Sequence, residues 1–215
     1  MVQEALQLGF PVFVVDDGST DALTEELKPY KDIHRLRHAV NLGKGAALLT
    51  GFAEAAKVAE WAITMDADGQ HRAEDALSLL ATLPEKGPIL VVGRRQGMSG
   101  ENVPWSSRFG RKFSNFWVWV SGGPLLHDSQ SGFRIYPLPE VLRLGVEARR
   151  FQFEVEVLVK ARRQGLAVIE RPVRVIYQPR GQRVSHFRPF VDFFRNFATF
   201  SRLITQRVFR GVLGQ

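Results

Sequence analysis

Val14-Val15-Asp16-Asp17-Gly18-Ser19-Thr20-Asp21 decides the fold, together with Met65-Asp66-Ala67-Asp68-Gly69-Gln70-His71 further along the chain. In each, an apolar run stops abruptly at carboxylates. A short apolar run bounded by turn residues reads as a buried strand. In an open α/β sheet the carboxyl ends of the strands line the ligand crevice. Asp16, Asp17, Asp66 and Asp68 are therefore expected at the rim of one cleft. Asp66 and Asp68 stand two residues apart, so on extended backbone both side chains face one way. Hard divalent cations take oxygen ligands, and Mg²⁺ is typically held by one or two carboxylates together with substrate phosphates. The same residue types also form ordinary turns, so these two runs alone leave an acidic turn as the other reading.

Outward from these runs the chain alternates. Residues 11–15, 35–37, 61–65, 89–92, 133–136 and 168–177 read as strands, the last with an edge marked by Pro172. Residues 23–29, 43–60, 73–83, 109–120 and 153–164 read as helices, and 2–8 as a short helical piece. Strands alternating with helices predict parallel βαβ units. The expected fold class is α/β, a mostly parallel sheet flanked by helices, with a C-terminal amphipathic helix. Residues 1–187 form the expected domain and 188–215 an appendage.

Composition sets the bounds. A hydrophobic share of 45% and a charged share of 24% are ordinary for a chain with a real core. The absence of cysteine excludes disulfides and thiolate metal sites. No basic segment followed by an apolar stretch opens the chain as a secretory signal would, and no uninterrupted run of 18 apolar residues predicts a spanning helix. An intracellular protein is expected. The net charge of +7 is unevenly placed: residues 1–107 balance to −5 and residues 108–215 to +12. The basic half calls for an anionic partner. No nucleic-acid-binding module is recognisable, so phosphate and membrane surface are the expected partners and nucleic acid is not.

Further runs follow in order: Asn41-Leu42-Gly43-Lys44-Gly45-Ala46-Ala47, Gly93-Arg94-Arg95 and Asp128-Ser129-Gln130-Ser131-Gly132-Phe133-Arg134. With the two opening runs they make residues 12–190 resemble the family 2 glycosyltransferases. Within that family the resemblance is to the polyprenyl-phosphate (dolichol-phosphate) sugar transferases. It implies a GT-A fold, a nucleotide-sugar donor, a lipid-linked phosphate acceptor, Mg²⁺ or Mn²⁺ as cofactor, and a place in cell-envelope biosynthesis. The family opens with a strand and a Pro-x-x-Asn-Glu-like turn that this chain does not show, so the first strand is expected to be missing from the interior of the sheet.

The resemblance also implies roles. Asp17 would accept a hydrogen bond from the nucleotide base, with Asp16 supporting the turn. Asp21 is read as a cap on the following helix. Lys44, between two glycines at a helix start, would contact the donor. Asp66, Asp68 and Gln70 would form the metal edge beside the diphosphate, with Asp66 also on the donor side; His71 is left out as a neighbour of the motif. Arg95 is preferred over Arg94 as a phosphate fork. Arg95, Arg108, Ser131 and Arg134 would gather the acceptor phosphate. Arg134 and Asp128 are the expected catalytic residues; a structural ion pair between them is the other reading. A phosphate acceptor needs no strong base, whereas a hydroxyl acceptor needs a carboxylate, for which Asp128 is the nearby candidate.

The tail carries apolar residues at Phe190, Phe193, Phe194, Phe197, Phe200, Ile204 and Val208, at helical spacing, and five arginines against the single acid Asp192. A basic, phenylalanine-rich amphipathic helix reads as interfacial; a helix packed on the core is the other reading. Phe116, Trp117 and Trp119 form a second candidate membrane contact. Residues 183–186 resemble a family loop that covers the donor. The expected location is cytoplasmic, peripheral at the inner face of the membrane. Two alternatives remain: a glycosyltransferase with a hydroxyl acceptor on a glycan or glycolipid, and an inactive, truncated paralogue that binds membrane or nucleotide.

Overall fold

The computed structural model describes residues 1–67, 69–97, 105–175 and 189–213, of which 105–107, 189–194 and 210–213 are described by backbone alone. The elements run α1 (Val2–Leu6), β1 (Val12–Asp16), α2 (Leu23–Leu27), β2 (Ile33–Arg37), α3 (Lys44–Ala55), β3 (Trp61–Thr64) and α4 (Glu74–Leu80). They continue with β4 (Ile89–Arg95), α5 (Trp105–Val120), β5 (Arg134–Pro137), α6 (Leu138–Arg143), α7 (Phe153–Arg163), β6 (Ala167–Val173) and α8 (Pro189–Leu213). The short helix α6, which begins beside a proline, is the one element the sequence pattern does not announce.

The strands form two sheets. The first is β1 with β2, parallel, in the register Val12↔Ile33 to Asp16↔Arg37. The β-branched residues of β1 suit a pleated surface. The second sheet has the order β3-β5-β4-β6. Here β4 and β6 are parallel, as the alternation predicts, but β5 runs antiparallel to both β3 and β4. The reversal has a consequence for the site. An antiparallel strand begins where its neighbours end, so Arg134, the first residue of β5, lies opposite Thr64 at the end of β3 and opposite Val92 of β4. The 128–134 segment thereby reaches the same rim as the carboxylates that follow β3.

Helix α7 is the centre of the larger core. Phe153, Val155, Val157, Leu158, Val159 and Ala161 are all buried, and so are Glu154 and Glu156, while the last turn carries exposed Arg162. Its cluster takes in Phe52 of α3, Val118 of α5, Tyr136 of β5, and Phe200 and Leu203 of α8. Burying each such large side chain contributes about 1.5–3 kcal/mol.

The tail is helical as expected, and its inner face packs. Phe200 and Leu203 are buried, and Trp117 of α5 lies 6.3 Å from the Phe200 ring. Arg202 pairs with Glu147 and, at 2.6 Å, with the fully buried Glu156 of α7. The packed reading therefore holds for this face of α8. The other face leaves Phe197, Val208 and Phe209 exposed, in company with Phe109, Phe116 and Trp119 of α5. Among the described residues no helix is long and apolar enough to cross a membrane.

Candidate active site

The site is a continuous rim built where β1, β3 and β4 end. Asp16 closes the first turn: its Oδ1 accepts from Ser19 N at 2.8 Å and its Oδ2 lies 3.4 Å from Arg37 Nε. The Ser19 hydrogen bonds, foremost, hold its pKa below the usual carboxylate value. The turn needs glycine at 18, where φ is +73° and a Cβ would stand 2.6 Å from the Val40 carbonyl carbon. Asp17, expected to face a base, fastens the turn to the start of α3. It accepts from Leu42 N at 2.9 Å and Gly43 N at 2.7 Å, and meets His38 Nδ1 at 2.7 Å. Burial works against this carboxylate, but the His38 and backbone hydrogen bonds outweigh it, and its pKa is lowered. Asp21 does not take the N-cap position, which is Ala22; its Oδ1 accepts from Leu23 N, at the start of α2, at 3.1 Å.

Lys44 carries the rim onward. Its ammonium pairs with Asp66 Oδ1 at 2.6 Å and with Glu154 of α7. Desolvation disfavours the charged amine, yet the Glu154 and Asp66 carboxylates prevail and hold its pKa above the ordinary lysine value. Asp66 is lowered in turn: burial would raise it, and the Lys44 charge overcomes that. Asp66 lies hard against the backbone of Gly132, where a Cβ would come within 2.8 Å of its Cγ. Thr64 Oγ1 ties the same segment down by donating to Gly132 O at 2.7 Å. Asp68 lies outside the described residues, as do 183–186.

Beyond Gly132 the arrangement differs from the sequence reading. Asp128 is fully buried, and its partner is Arg95, not Arg134. Arg95 reaches it with backbone N at 3.0 Å, Nε at 2.8 Å and Nη2 at 2.8 Å, a bidentate fork. Arg134 is fully buried as well. It donates to Ser131 O at 2.7 Å, Ser129 O at 2.8 Å and Glu154 O at 2.9 Å. As placed, its guanidinium holds the loop together and does not reach a surface where a phosphate would sit. Ser131 is likewise buried. The physical reason is the loop's own demand: carbonyls turned inward need donors, and a planar guanidinium satisfies three of them at once. Arg108, on the first turns of α5, is partly exposed and has no described bonding partner. His71 is buried and stacks on Phe133 at 4.9 Å.

Three residues of the site escaped the sequence reading. Glu154 anchors Lys44; an acid inside the apolar run of α7 was its one signal. Glu170 of β6 accepts from the backbone N of His127 and of Asp128 at 2.9 and 2.8 Å, fixing the loop entrance. His38, also bonded to Thr50 Oγ1 at 3.0 Å, has no distinguishing sequence context.

A divalent cation fits this donor set. Asp66 and Gln70 offer oxygens, which hard cations prefer, and Asp66 already holds a cation in the form of the Lys44 ammonium. Among the described residues no three acidic or histidine side chains gather as a metal cluster, and Asp68 is not among those residues.

Strand-end carboxylates in two runs, a lysine at a helix start and an arginine-clamped loop on an α/β frame define the GT-A class of nucleotide-diphospho-sugar transferases. The model of Glycosyl transferase family 2 matches residues 2–139, and the chain belongs to that family of glycosyltransferases. It is 30% identical over 187 residues to the UDP-N-acetylglucosamine–dolichyl-phosphate N-acetylglucosaminyltransferase of Methanococcus voltae, covering 77% of this chain and 74% of the relative. It is 31% identical over 181 residues to the polyprenol monophosphomannose synthase of Mycolicibacterium smegmatis, covering 75% of this chain and 65% of that one. In fold it is similar to glucosyl-3-phosphoglycerate synthase from Mycobacterium tuberculosis, solved in complex with Mn²⁺, uridine diphosphate and phosphoglyceric acid. The TM-score is 0.65 at 19% identity, over 90% of this chain and 67% of that chain.

Proposed function

We propose that this glycosyltransferase moves a sugar from a nucleoside-diphosphate donor to a polyprenyl phosphate, with Mg²⁺ or Mn²⁺, while peripheral at the cytoplasmic face of a membrane. The observation that carries the acceptor is the state of Asp128. A hydroxyl acceptor needs a carboxylate base within reach. The candidate for that role is fully buried and bonded to Arg95. Glu154 is likewise engaged, by Lys44. A phosphate oxygen is already ionised and attacks without a base. The named activities of the Methanococcus and Mycolicibacterium relatives, both on isoprenoid lipid carriers, support the same choice.

The acceptor oxygen would form a bond to the anomeric carbon as the bond from that carbon to the diphosphate breaks, with inversion. A divalent cation held by Asp66, Asp68 and Gln70 would neutralise the departing diphosphate. The remaining work falls to the chain. Asp17 and Asp16 fix the turn on which the nucleotide would rest. Lys44 brings positive charge beside the diphosphate and orients Asp66. The partly exposed Arg108 offers charge to the acceptor, while Arg95, paired with Asp128, fixes the loop beside it. Buried Arg134 keeps the loop in shape. The exposed aromatic residues of α5 and α8 support a membrane-facing side that includes the appendage from residue 188. The test is transfer to polyprenyl phosphate against the matching free polyprenol. Transfer to the phosphate alone is expected; equal transfer to the alcohol refutes the phosphate acceptor and returns Asp128 to the role of base.

A further inference from the structure

Lys44 divides its charge between two carboxylates of unlike freedom. Its ammonium lies 2.6 Å from Asp66 Oδ1 and also bonds Glu154 Oε1. The Asp66 side chain is 33% exposed and faces the cleft, whereas that of Glu154 is 9% exposed. Glu154 is rooted in the first turn of α7, where its carbonyl accepts from buried Arg134 at 2.9 Å. Asp66 has little room to withdraw, because its carboxylate lies against the Gly132 backbone. The backbone beneath Lys44 is held as well. Ala46 N donates to Arg149 O at 2.8 Å, and Cβ atoms at Gly43 and Gly45 would stand 2.7 and 2.6 Å from the Arg149 and Ala148 carbonyl oxygens. Of the three charged groups, the one free to change partner is the Lys44 ammonium, on its flexible four-carbon stem.

This arrangement sets up a competition. Asp66 Oδ1 is the kind of oxygen that a hard divalent cation takes, and an ammonium bonded to it opposes a second cation there. Displacing Lys44 does not strand its charge, since Glu154 stays within bonding reach; one ion pair is given up and the other kept. Two carboxylates and one ammonium are net negative by one charge, so a divalent cation alone would leave the group net positive. A diphosphate removes that excess and gives Lys44 a new partner.

We propose that Lys44 is a resident counter-ion that blocks Asp66 to divalent cations until the donor arrives, with buried Glu154 as the positioning residue that keeps Lys44 in place for the exchange. The proposal rests on the reading of Asp66 as a metal ligand. It makes cation and nucleotide binding cooperative, each raising the affinity for the other by the same factor. The cleft then takes up metal together with the donor and not ahead of it.

Mn²⁺ binding to the full chain tests it, measured by calorimetry and by the electron-spin signal of free Mn²⁺, alone and with uridine or guanosine diphosphate. The main variant is Lys44→Met/Glu154→Gln. It removes one positive and one negative charge, so a general field effect predicts little change, whereas loss of the counter-ion leaves Asp66 open. A hydrogen bond to a charged group is worth about ten- to hundredfold in an equilibrium. The variant is therefore expected to bind Mn²⁺ alone at least about tenfold more tightly than wild type, and its enhancement by nucleotide should shrink by the same factor. Glu154→Gln alone should weaken binding of Mn²⁺ alone, since Lys44 is then left to Asp66. That opposite sign is one a merely structural defect at Glu154 would not produce. Lys44→Met alone keeps the test valid if the double variant disturbs the fold; its gain should exceed that of Arg150→Gln, which removes an exposed cation packed over neighbouring Gly43. Equal affinity for Mn²⁺ alone in wild type and both Lys44 variants, with nucleotide enhancement intact, overturns the counter-ion role and leaves the metal reading standing. Failure of the wild type to bind Mn²⁺ with either nucleotide, or Asp66→Asn binding it as well as wild type, overturns the reading of Asp66 as a ligand, and the proposal with it.

Discussion

Replacing Gly132 by alanine adds one methyl group, and the site has no room for it. The new Cβ would stand 2.8 Å from Cγ and Oδ1 of Asp66 and closer still to Oδ2. Residue 132 is not among the positive-φ glycines, so its backbone accommodates alanine and the conflict is one of contact alone. Carbon contacts relax to about 3.5–4.0 Å, so the Asp66 carboxylate must retreat by on the order of 1 Å. That retreat breaks the 2.6 Å pairing with Lys44 and displaces the metal edge. A misplacement of that size costs about 100-fold in rate, whereas overpacking costs roughly 1–3 kcal/mol of stability. For a chain of this length, this is a fall in Tm of about 2–4 °C per kcal/mol. The assay is nucleotide release from the sugar donor in the presence of acceptor and Mn²⁺, paired with a thermal melt. Gly110→Ala on α5 is the control: nothing lies within 4 Å of its Cβ, and helix propensity should leave stability equal or up to about 1 kcal/mol higher. A folded Gly132→Ala enzyme within about threefold of wild-type turnover refutes the argument that the position of Asp66 governs the reaction.

Asp68→Ala should abolish transfer while leaving the melt unchanged, and EDTA should do the same reversibly; normal turnover in either experiment removes the metal assignment. Arg134→Ala should destabilise the fold by about 3–5 kcal/mol, since it strands three buried carbonyls and leaves a cavity. A variant that melts normally but loses acceptor affinity would restore the phosphate-binding role. Glu156 is fully buried; burial opposes its charge, but Lys160, the Glu147 backbone and Arg202 hold its pKa below 4.5. Its folded pKa lies below the unfolded one, so its contribution is complete above pH 4.5 and fades as pH falls through the folded value. Tryptophan fluorescence from the Trp117–Phe200 contact should report loosening of α8 in that acid range, and Glu156→Gln should lose that part of the pH dependence.

The frame was legible because it is local. The β1 run and the α7 run each carry their element in their own residue types, and the strand-end carboxylates follow from where an apolar run stops. The direction of β5 was not legible, because Arg134-Ile135-Tyr136-Pro137 has the same apolar content in either orientation; the long segment after α5 decides it. In the site, Asp66 was singled out by type and spacing, and Lys44 and Arg95 by the family resemblance. Their partners were not, because Glu154 and Asp128 reach them from segments distant in sequence. Arg134 shows the limit most plainly. An arginine in a glycine- and serine-rich loop reads as a ligand group, yet the same loop turns its carbonyls inward and takes the guanidinium for itself.

The charge asymmetry resolves along the same lines. An arginine bonded to a carboxylate loses most of its outward field, whereas one bonded to a backbone carbonyl keeps it. Arg95 and Arg202 belong to the first kind, paired with Asp128, Glu147 and Glu156. Exposed Arg207 donates to the Val120 carbonyl at the end of α5 and remains cationic toward solvent. Basic residues of the second half therefore divide between those that fasten elements and those that project charge beside Trp119, Val208 and Phe209. Asp66 and the Glu154 brought to it hold Lys44, two carboxylates to one cation, so this part of the rim is net negative before any substrate arrives. A dianionic donor and an anionic acceptor entering together would add to that negative charge, and only added positive charge can offset it. On the proposed function, this need for a further cation connects the carboxylate rim to a divalent metal and the acceptor side to Arg108, which is partly exposed.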